Sequence, residues 1–239
     1  MHILITRQID QSKNFSNILD KLNIKNTIFP VISIKSIQPG KHNIDNLKNS
    51  DFVVFTSQNS VTSLIKNIDI LNLKDKKIAA IGSSTKKLLN SLGIEVNIFP
   101  KSNFTSESLY EEIKNNDISG KKIAIIKGLG GREYLKKQLS LDNHVVDDIN
   151  VYSRNLPDDI NSLPKDKLQN ISHICITSID VLVYFLKIID ILKISIHKNI
   201  IFVAGNEKIA NKIKENFVDN EVSISLNPTN EAMLHTILN

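Results

Sequence analysis

The chain carries a single cysteine, Cys175, in 239 residues. That excludes a disulfide scaffold and any multi-cysteine zinc or iron–sulfur centre. Cys175 itself lies in an apolar run and reads as an inert core residue. Long hydrophobic runs are also missing: stretches such as Val181–Leu186 fall far short of the ~20 residues that a membrane helix needs. Arg7 interrupts the apolar start and no small-residue cleavage pattern follows, so no secretory signal is expected and the expected location is cytoplasmic. No run of five like charges occurs, and no basic stripe alternates with aromatics, which argues against a nucleic-acid platform. The net charge of +5 rests on lysines spread along the chain. Most read as solvated surface, although an acidic ligand would suit the same excess.

Several catalytic signatures are absent as well. There is no Gly-x-x-x-x-Gly-Lys-Ser/Thr loop, no Gly-x-Ser-x-Gly elbow and no His-Glu-x-x-His pair. Gly128-Leu129-Gly130-Gly131-Arg132 starts like a dinucleotide fingerprint, but Glu133 stands where the third glycine belongs. The six histidines, His2, His42, His144, His173, His197 and His235, show no metal-ligand spacing. An enzyme with this sequence is expected to work without metal, nucleotide or covalent nucleophile, and no cofactor is expected.

What is present is an ordinary globular balance, 41% hydrophobic and 23% charged. Short β-branched runs alternate with helical patterns. The strands are predicted at Ile3–Thr6, Asn26–Phe29, Phe52–Phe55, Ile78–Ile81, Val96–Ile98, Ile123–Ile126, Val145–Ile149, His173–Ile176, Ile200–Val203 and Val222–Ile224. This is the rhythm of βα units, and continuous apolar strands imply sheets covered on both faces.

The second half repeats the first. Phe52–Ser60 answers His173–Val181, with Thr56 and Thr177 separated by 121 positions. Gly82 answers Gly205 at 123, and Thr105 answers Thr229 at 124. His2–Arg7 similarly answers Lys122–Lys127. Two similar α/β domains follow. A tandem cut would fall near Asp117–Gly120. Strand counting favours another partition, because segment 52–149 supplies five predicted strands by itself while the two ends supply five more. The domains would then be 1–30 plus 156–239, with 38–149 inserted, and 31–37 and 150–155 would form a two-strand linker.

These features, taken in order, resemble the uroporphyrinogen-III synthase family over essentially the full length. The matching residues are Leu4–Arg7, Val54–Val61, Ala80–Thr85, Gly128–Leu135, Val151–Arg154 and Ile176–Ser178. The resemblance implies two flavodoxin-like, Rossmann-like domains with parallel five-stranded sheets, joined by a two-strand linker, with an active cleft between them. It implies cyclisation of hydroxymethylbilane, with inversion of the terminal pyrrole ring, to uroporphyrinogen III in heme biosynthesis. It also implies a monomer acting on a small polycarboxylate, with a transient contact to the preceding pathway enzyme, and no nucleic-acid or membrane partner.

The candidate residues cluster where strands hand over to helices: Thr6 and Arg7; Ser57 and Asn59 after Thr56; Ser83 and Thr85 after Gly82; Thr177 and Ser178; and Gly205. In an open parallel sheet this carboxyl edge is where ligands bind, and free amides there favour anions. The same hydroxyls also read as plain helix N-caps. The glycine turn with Gly130 and Arg132 either offers amides and a guanidinium to a carboxylate or is simply a tight turn. The resemblance implies Tyr152 as the proton donor to the departing hydroxyl; an aromatic packing between domains is the alternative. Two departures from the family pattern stand out: Asn206-Glu207 replaces a hydroxyl-bearing turn, and Ile179-Asp180 replaces small neutral residues. A two-domain anion-binding or regulatory protein that kept the fold without catalysis is the competing reading.

Overall fold

The computed structural model describes residues 1–101, 103–116, 120–164, 168 and 170–239. The chain divides into two compact units, Met1–Ser33 with Asn155–Asn239, and Ile34–Arg154. The tandem cut at 117–120 falls mostly outside the described residues.

The first unit holds β1 (His2–Ile5) and β2 (Lys25–Ile28) around helix α1 (Ile9–Lys21). The strands β3 (Ser33–Ser36), β4 (Phe52–Phe55), β5 (Lys77–Ala80), β6 (Lys122–Gly128) and β7 (Val145–Asn155) build the second unit's sheet. The helices α2 (Lys41–Lys48), α3 (Gln58–Leu64), α4 (Ser83–Ser91), α5 (Ser106–Asn115) and α6 (Tyr134–Leu141) accompany them. The chain then returns to the first unit with β8 (His173–Ile176), α7 (Ile179–Ile191), β9 (Ile201–Ala204), α8 (Glu207–Asn216), β10 (Val222–Ile224) and α9 (Asn230–Leu238). Among the described residues no helix is long and apolar enough to cross a membrane.

Both sheets have five strands, ordered β10-β9-β8-β1-β2 and β3-β7-β6-β4-β5. The ladders joining β1, β2, β8, β9 and β10 are parallel, as are those joining β4 to β7. Read from the other edge, the second order is β5-β4-β6-β7-β3. The sequence repeat equates β4 with β8, β5 with β9 and β1 with β6. The equated strands follow one another in the same order, β9-β8-β1 and β5-β4-β6, shifted by one place because β10 lies outside β9 whereas β5 is the edge strand of its sheet.

The alternation of side chains along a strand explains why the strands are apolar throughout. In the second sheet Val53, Phe55, Ala124 and Ile126 face one core with Val61, Leu64 and Leu89. Their neighbours Phe52, Val54, Ile123 and Ile125 face the other, with Leu109, Ile113, Leu135 and Leu139. In the first sheet Ile3, Ile5, Cys175 and Val203 pack on Phe15, Leu19, Met233 and Ile237.

The strand expected at Val96–Ile98 is corrected. This segment forms one isolated bridge, between Ile98 and Ala79. The cause is Asn97, whose side-chain Oδ1 takes the Ile78 N–H at 2.7 Å, a donor that a ladder strand would satisfy with its backbone. The fifth place in that sheet belongs instead to β3, a polar strand whose only apolar residue, Ile34, packs on the core. The Ile37 N–H donates to Val151 O at 2.7 Å just beyond it.

Candidate functional site

Parallel strands present all their carboxyl ends on one edge, and in the second unit that edge gathers Thr56–Ser57, Gly82–Ser83, the Gly128–Arg132 turn and Tyr152. Register fixes the grouping: Phe55 lies beside Ala80 and Ile126, and Gly128 lies beside Tyr152. Between β6 and β7 the register slips, since Lys127 pairs with Asn150 but Gly128 pairs with Tyr152. Val151 is the extra residue of this bulge. Without it, alternation would send Tyr152 to the face opposite Val151. With it, both side chains enter the same core, which is how bulges re-aim a side chain.

Tyr152 is 1% exposed, the largest fully buried side chain among the described residues. It packs in the core of its own unit. Its ring lies over Gly128, where an added Cβ would come 2.6 Å from Cε2 and Cζ. The phenol oxygen is 3.0 Å from Ser57 Oγ and accepts from Arg154 Nη2 at 3.2 Å. The Arg154 guanidinium also lies 5.3 Å from the ring centroid. Ser57 caps α3 in a reciprocal box: its Oγ accepts the Ser60 N–H, and Ser60 Oγ accepts the Ser57 N–H.

Ser178 is the counterpart in the first unit, accepting the Val181 N–H at 3.1 Å as the N-cap of α7. Thr105 and Thr229 cap α5 and α9 in the same way. Ser83 differs. The N-cap of α4 is Gly82, with no side-chain bond to the helix, and Ser83 occupies the first helical position. Thr85, one turn in, is buried, and Asn59 and Thr177 are half-buried. At the departure noted in the first unit, the Asn206 side chain takes over the capping, accepting the Ile209 N–H at 3.0 Å, while Glu207 is exposed.

Three candidates are occupied by internal contacts. Thr6 is fully buried and donates to Cys175 O. Arg7, 8% exposed, donates to Asn230 Oδ1 at 2.8 Å and to Pro228 O, tying the end of β1 to the turn before α9. Burial pulls its pKa down, with Cys175 and then Glu231 opposing. Gly205 is where Pro228 packs, since a Cβ would meet Pro228 Cβ at 2.9 Å. In the glycine turn, Gly130 is exposed with φ +71°, a conformation that suits glycine. Arg132 is exposed and meets Glu107 at 3.5 Å, an ion pair of small worth.

The sequence reading passed over Lys127, Asp148, Gly128 and Arg154 as site residues. Lys127 occupies the repeat position of Arg7 and is also a buried cation, 5% exposed. A lysine ending an apolar strand, with acidic residues on the strand beside it, was the available signal. Gly128 and the bulge left no such trace, because register is not visible in one strand alone. Among the described residues no group of three or more His, Cys, Asp or Glu could hold a metal ion.

Known proteins share this fold. The family profile described as Uroporphyrinogen-III synthase HemD matches residues 13–235. A provisionally named uroporphyrinogen-III synthase of Methanocaldococcus jannaschii is 32% identical over 146 residues, 59% of each chain. A uroporphyrinogen-III synthase of Chlorobaculum parvum is 25% identical over 132 residues, 53% of this chain and 52% of its own. The matched stretches thus span between half and three-fifths of these relatives' length. The solved uroporphyrinogen-III synthetase from Helicobacter pylori superposes with a TM-score of 0.65 at 17% identity, covering 99% of this chain and 98% of that one. A mutant uroporphyrinogen III synthase from Thermus thermophilus gives 0.61 at 13% identity, covering 100% and 97%. At those identities the structural likeness is one of fold.

Proposed function

The chain belongs to the uroporphyrinogen-III synthase family, and from that premise we propose that it closes hydroxymethylbilane to uroporphyrinogen III with the terminal pyrrole ring inverted. The substrate hydroxyl leaves as water, giving an azafulvene cation. Attack on that cation by the substituted carbon of the terminal ring gives a spiro intermediate, which fragments and recloses. The overall change is redox-neutral. Uncatalysed closure gives the I isomer, so the protein's work is to orient a flexible polycarboxylate and to assist the departing hydroxyl.

The observation that carries this reading is the hydrogen-bond chain from Arg154 through Tyr152 to Ser57. A guanidinium only donates, so the phenol oxygen accepts from Arg154 and its own proton is free to go to Ser57 Oγ. That oxygen has two lone pairs, one taken by the Ser60 N–H and one by the phenol. The serine proton is then left over, to be given outward. The buried tyrosine supplies the proton, and half-buried Ser57 passes it to the substrate. Asn59, Ser83, Thr85, Gly130, Arg132, Thr177 and Ser178 serve as carboxylate contacts on the carboxyl edges. Thr6, Arg7 and Gly205 hold the strand ends behind them.

A cytoplasmic monomer goes with this reading. So does a brief contact with the enzyme that makes hydroxymethylbilane, because a substrate that closes spontaneously gains from a short transit. The test couples the purified chain to such an enzyme and separates the product isomers. Isomer III in excess over the spontaneous product supports the reading; isomer I alone overturns it.

A further inference from the structure

Lys127, one residue before the end of β6, is a buried ammonium beside the glycine turn. Register puts Ile125 next to Asp148 and Lys127 next to Asn150, so Lys127 and Asp148 share a sheet face, one pair apart. The ammonium donates to Asp148 Oδ2 at 3.0 Å and to Arg132 O at 3.1 Å. The two side chains are 6% and 13% exposed. On the same face below them lie Ile123, Ile125, Leu135 and Leu139. In such surroundings a matched apolar pair is as stable as an ion pair or more so, so stability does not account for the charges. Asp148 Oδ1 is moreover buried without a hydrogen-bond partner among the described residues. What the pair does accomplish is geometric. It reaches five residues ahead to the Arg132 carbonyl and closes the turn from below, with Gly131 seated on the lysine stem, where a Cβ would lie 3.2 Å from Lys127 Cε. From the other side, Leu129 N–H donates to Tyr152 O at 2.8 Å and Gly131 N–H to Gly128 O at 3.2 Å.

We propose that Lys127 is a positioning residue for the ligand-facing turn Gly128–Arg132, held by Asp148 so that its grip on the Arg132 carbonyl fixes the turn's open amides and Arg132 toward a substrate carboxylate. In a trans peptide the carbonyl and the following N–H point opposite ways. Drawing the Arg132 carbonyl inward therefore turns the Glu133 N–H outward, next to the start of α6. The inference rests on the function proposed above for its substrate, though not for the clamp itself.

Removing the lysine alone strands a buried carboxylate and is apt to unfold the chain, so the informative variant is Lys127→Met with Asp148→Leu, beside Lys127→Arg. Two measurements on the full chain separate the questions: hydrogen exchange at the Leu129 and Gly131 amides without ligand, and kcat and KM with hydroxymethylbilane. In the double variant, exchange at both amides and KM should each rise roughly tenfold, the loss of about one charged hydrogen bond. kcat and the melting temperature should stay near wild type, and Lys127→Arg should restore KM. Wild-type exchange in the double variant overturns the clamp, and faster exchange with an unchanged KM overturns its role toward substrate. Should wild-type protein give no excess of isomer III, the function falls, and binding of uroporphyrin III, a stable octacarboxylate, replaces KM as the readout. Equal affinity of wild type and double variant for that probe then overturns the positioning role.

Discussion

Ser57 Oγ stands 3.0 Å from the Tyr152 hydroxyl, across 95 positions of sequence. Ser57 is brought there as the N-cap of α3, and Tyr152 by the bulge that turns it onto the Gly128 face. Neither placement alone makes the contact. A cap hydroxyl and a core tyrosine are each commonplace; together they connect a buried phenol to the carboxyl edge of the sheet.

Ser57 and Ser178 therefore form a natural control pair. Both accept a backbone N–H at similar distance, 3.2 and 3.1 Å, so Ser→Ala at either should cost about 0.5–2 kcal/mol of stability. Ser57→Ala alone should also lower kcat, by roughly 10- to 100-fold and in step with Tyr152→Phe. KM should move little in either, because the relay matters most as the hydroxyl departs. Residual product should remain chiefly isomer III. If Ser178→Ala lowered kcat as much as Ser57→Ala, the relay would be wrong.

Gly128 is predicted to be intolerant for the sake of the tyrosine. A Cβ there would meet the ring at 2.6 Å, and the ring is locked in the core. Gly128→Ala should cost about 1–3 kcal/mol through overpacking and lower kcat as the phenol leaves Ser57. In a Tyr152→Ala background the same change should be nearly neutral. A double-mutant cycle by urea denaturation measures the coupling, and additive effects would contradict the contact.

Much of the fold was legible because repetition and apolar runs are local signals. The offset of 121–124 equated β4 with β8 and β5 with β9, and these strands are neighbours in the same order in both sheets. β3 was legible only as one strand of a two-strand linker over 31–37 and 150–155, not as a member of the sheet, because Ser33-Ile34-Lys35-Ser36 has one apolar residue and its place depends on β7 being there to pair. Val96–Ile98 misled for the converse reason, since its residues suit a strand while Asn97 takes the neighbour's donor with its side chain. The site shows the same division. Ser57, Ser178 and Tyr152 could be picked out as candidates from local sequence, whereas the contacts of Thr6 with Cys175 and of Arg7 with Pro228 and Asn230 join segments far apart in the chain and leave no local trace.

Cys175 provides a probe of global unfolding. It is 1% exposed, and burial pushes its thiol up to about 12. Since the thiolate is the reactive form, a disulfide reagent at neutral pH should label the native protein no faster than it unfolds. The labelling rate should rise with urea along the unfolding limb measured by circular dichroism. Complete labelling within the mixing time in native buffer would show that the strand opens locally.

His173 should make stability depend on pH in the mildly acidic range. It is half-buried at the start of β8, with Nδ1 2.8 Å from Ser172 Oγ. Burial first, and then the positive amino terminus, lower its pKa below the ordinary 6.5, with Glu221 opposing. The folded state thus prefers neutral imidazole, while the unfolded chain takes up a proton as pH falls through 6.5. Unfolding then binds protons, so the contribution is fully present above 6.5 and is lost as pH drops toward the folded-state value. Urea midpoints measured from about pH 7.5 down to about pH 5 should fall, and His173→Asn, which keeps a polar group near Ser172 but cannot titrate, should flatten that slope. Carboxylates contribute only toward the bottom of this range, so the difference between variant and wild type isolates the histidine. Parallel midpoint curves for the two proteins would show that His173 titrates alike folded and unfolded.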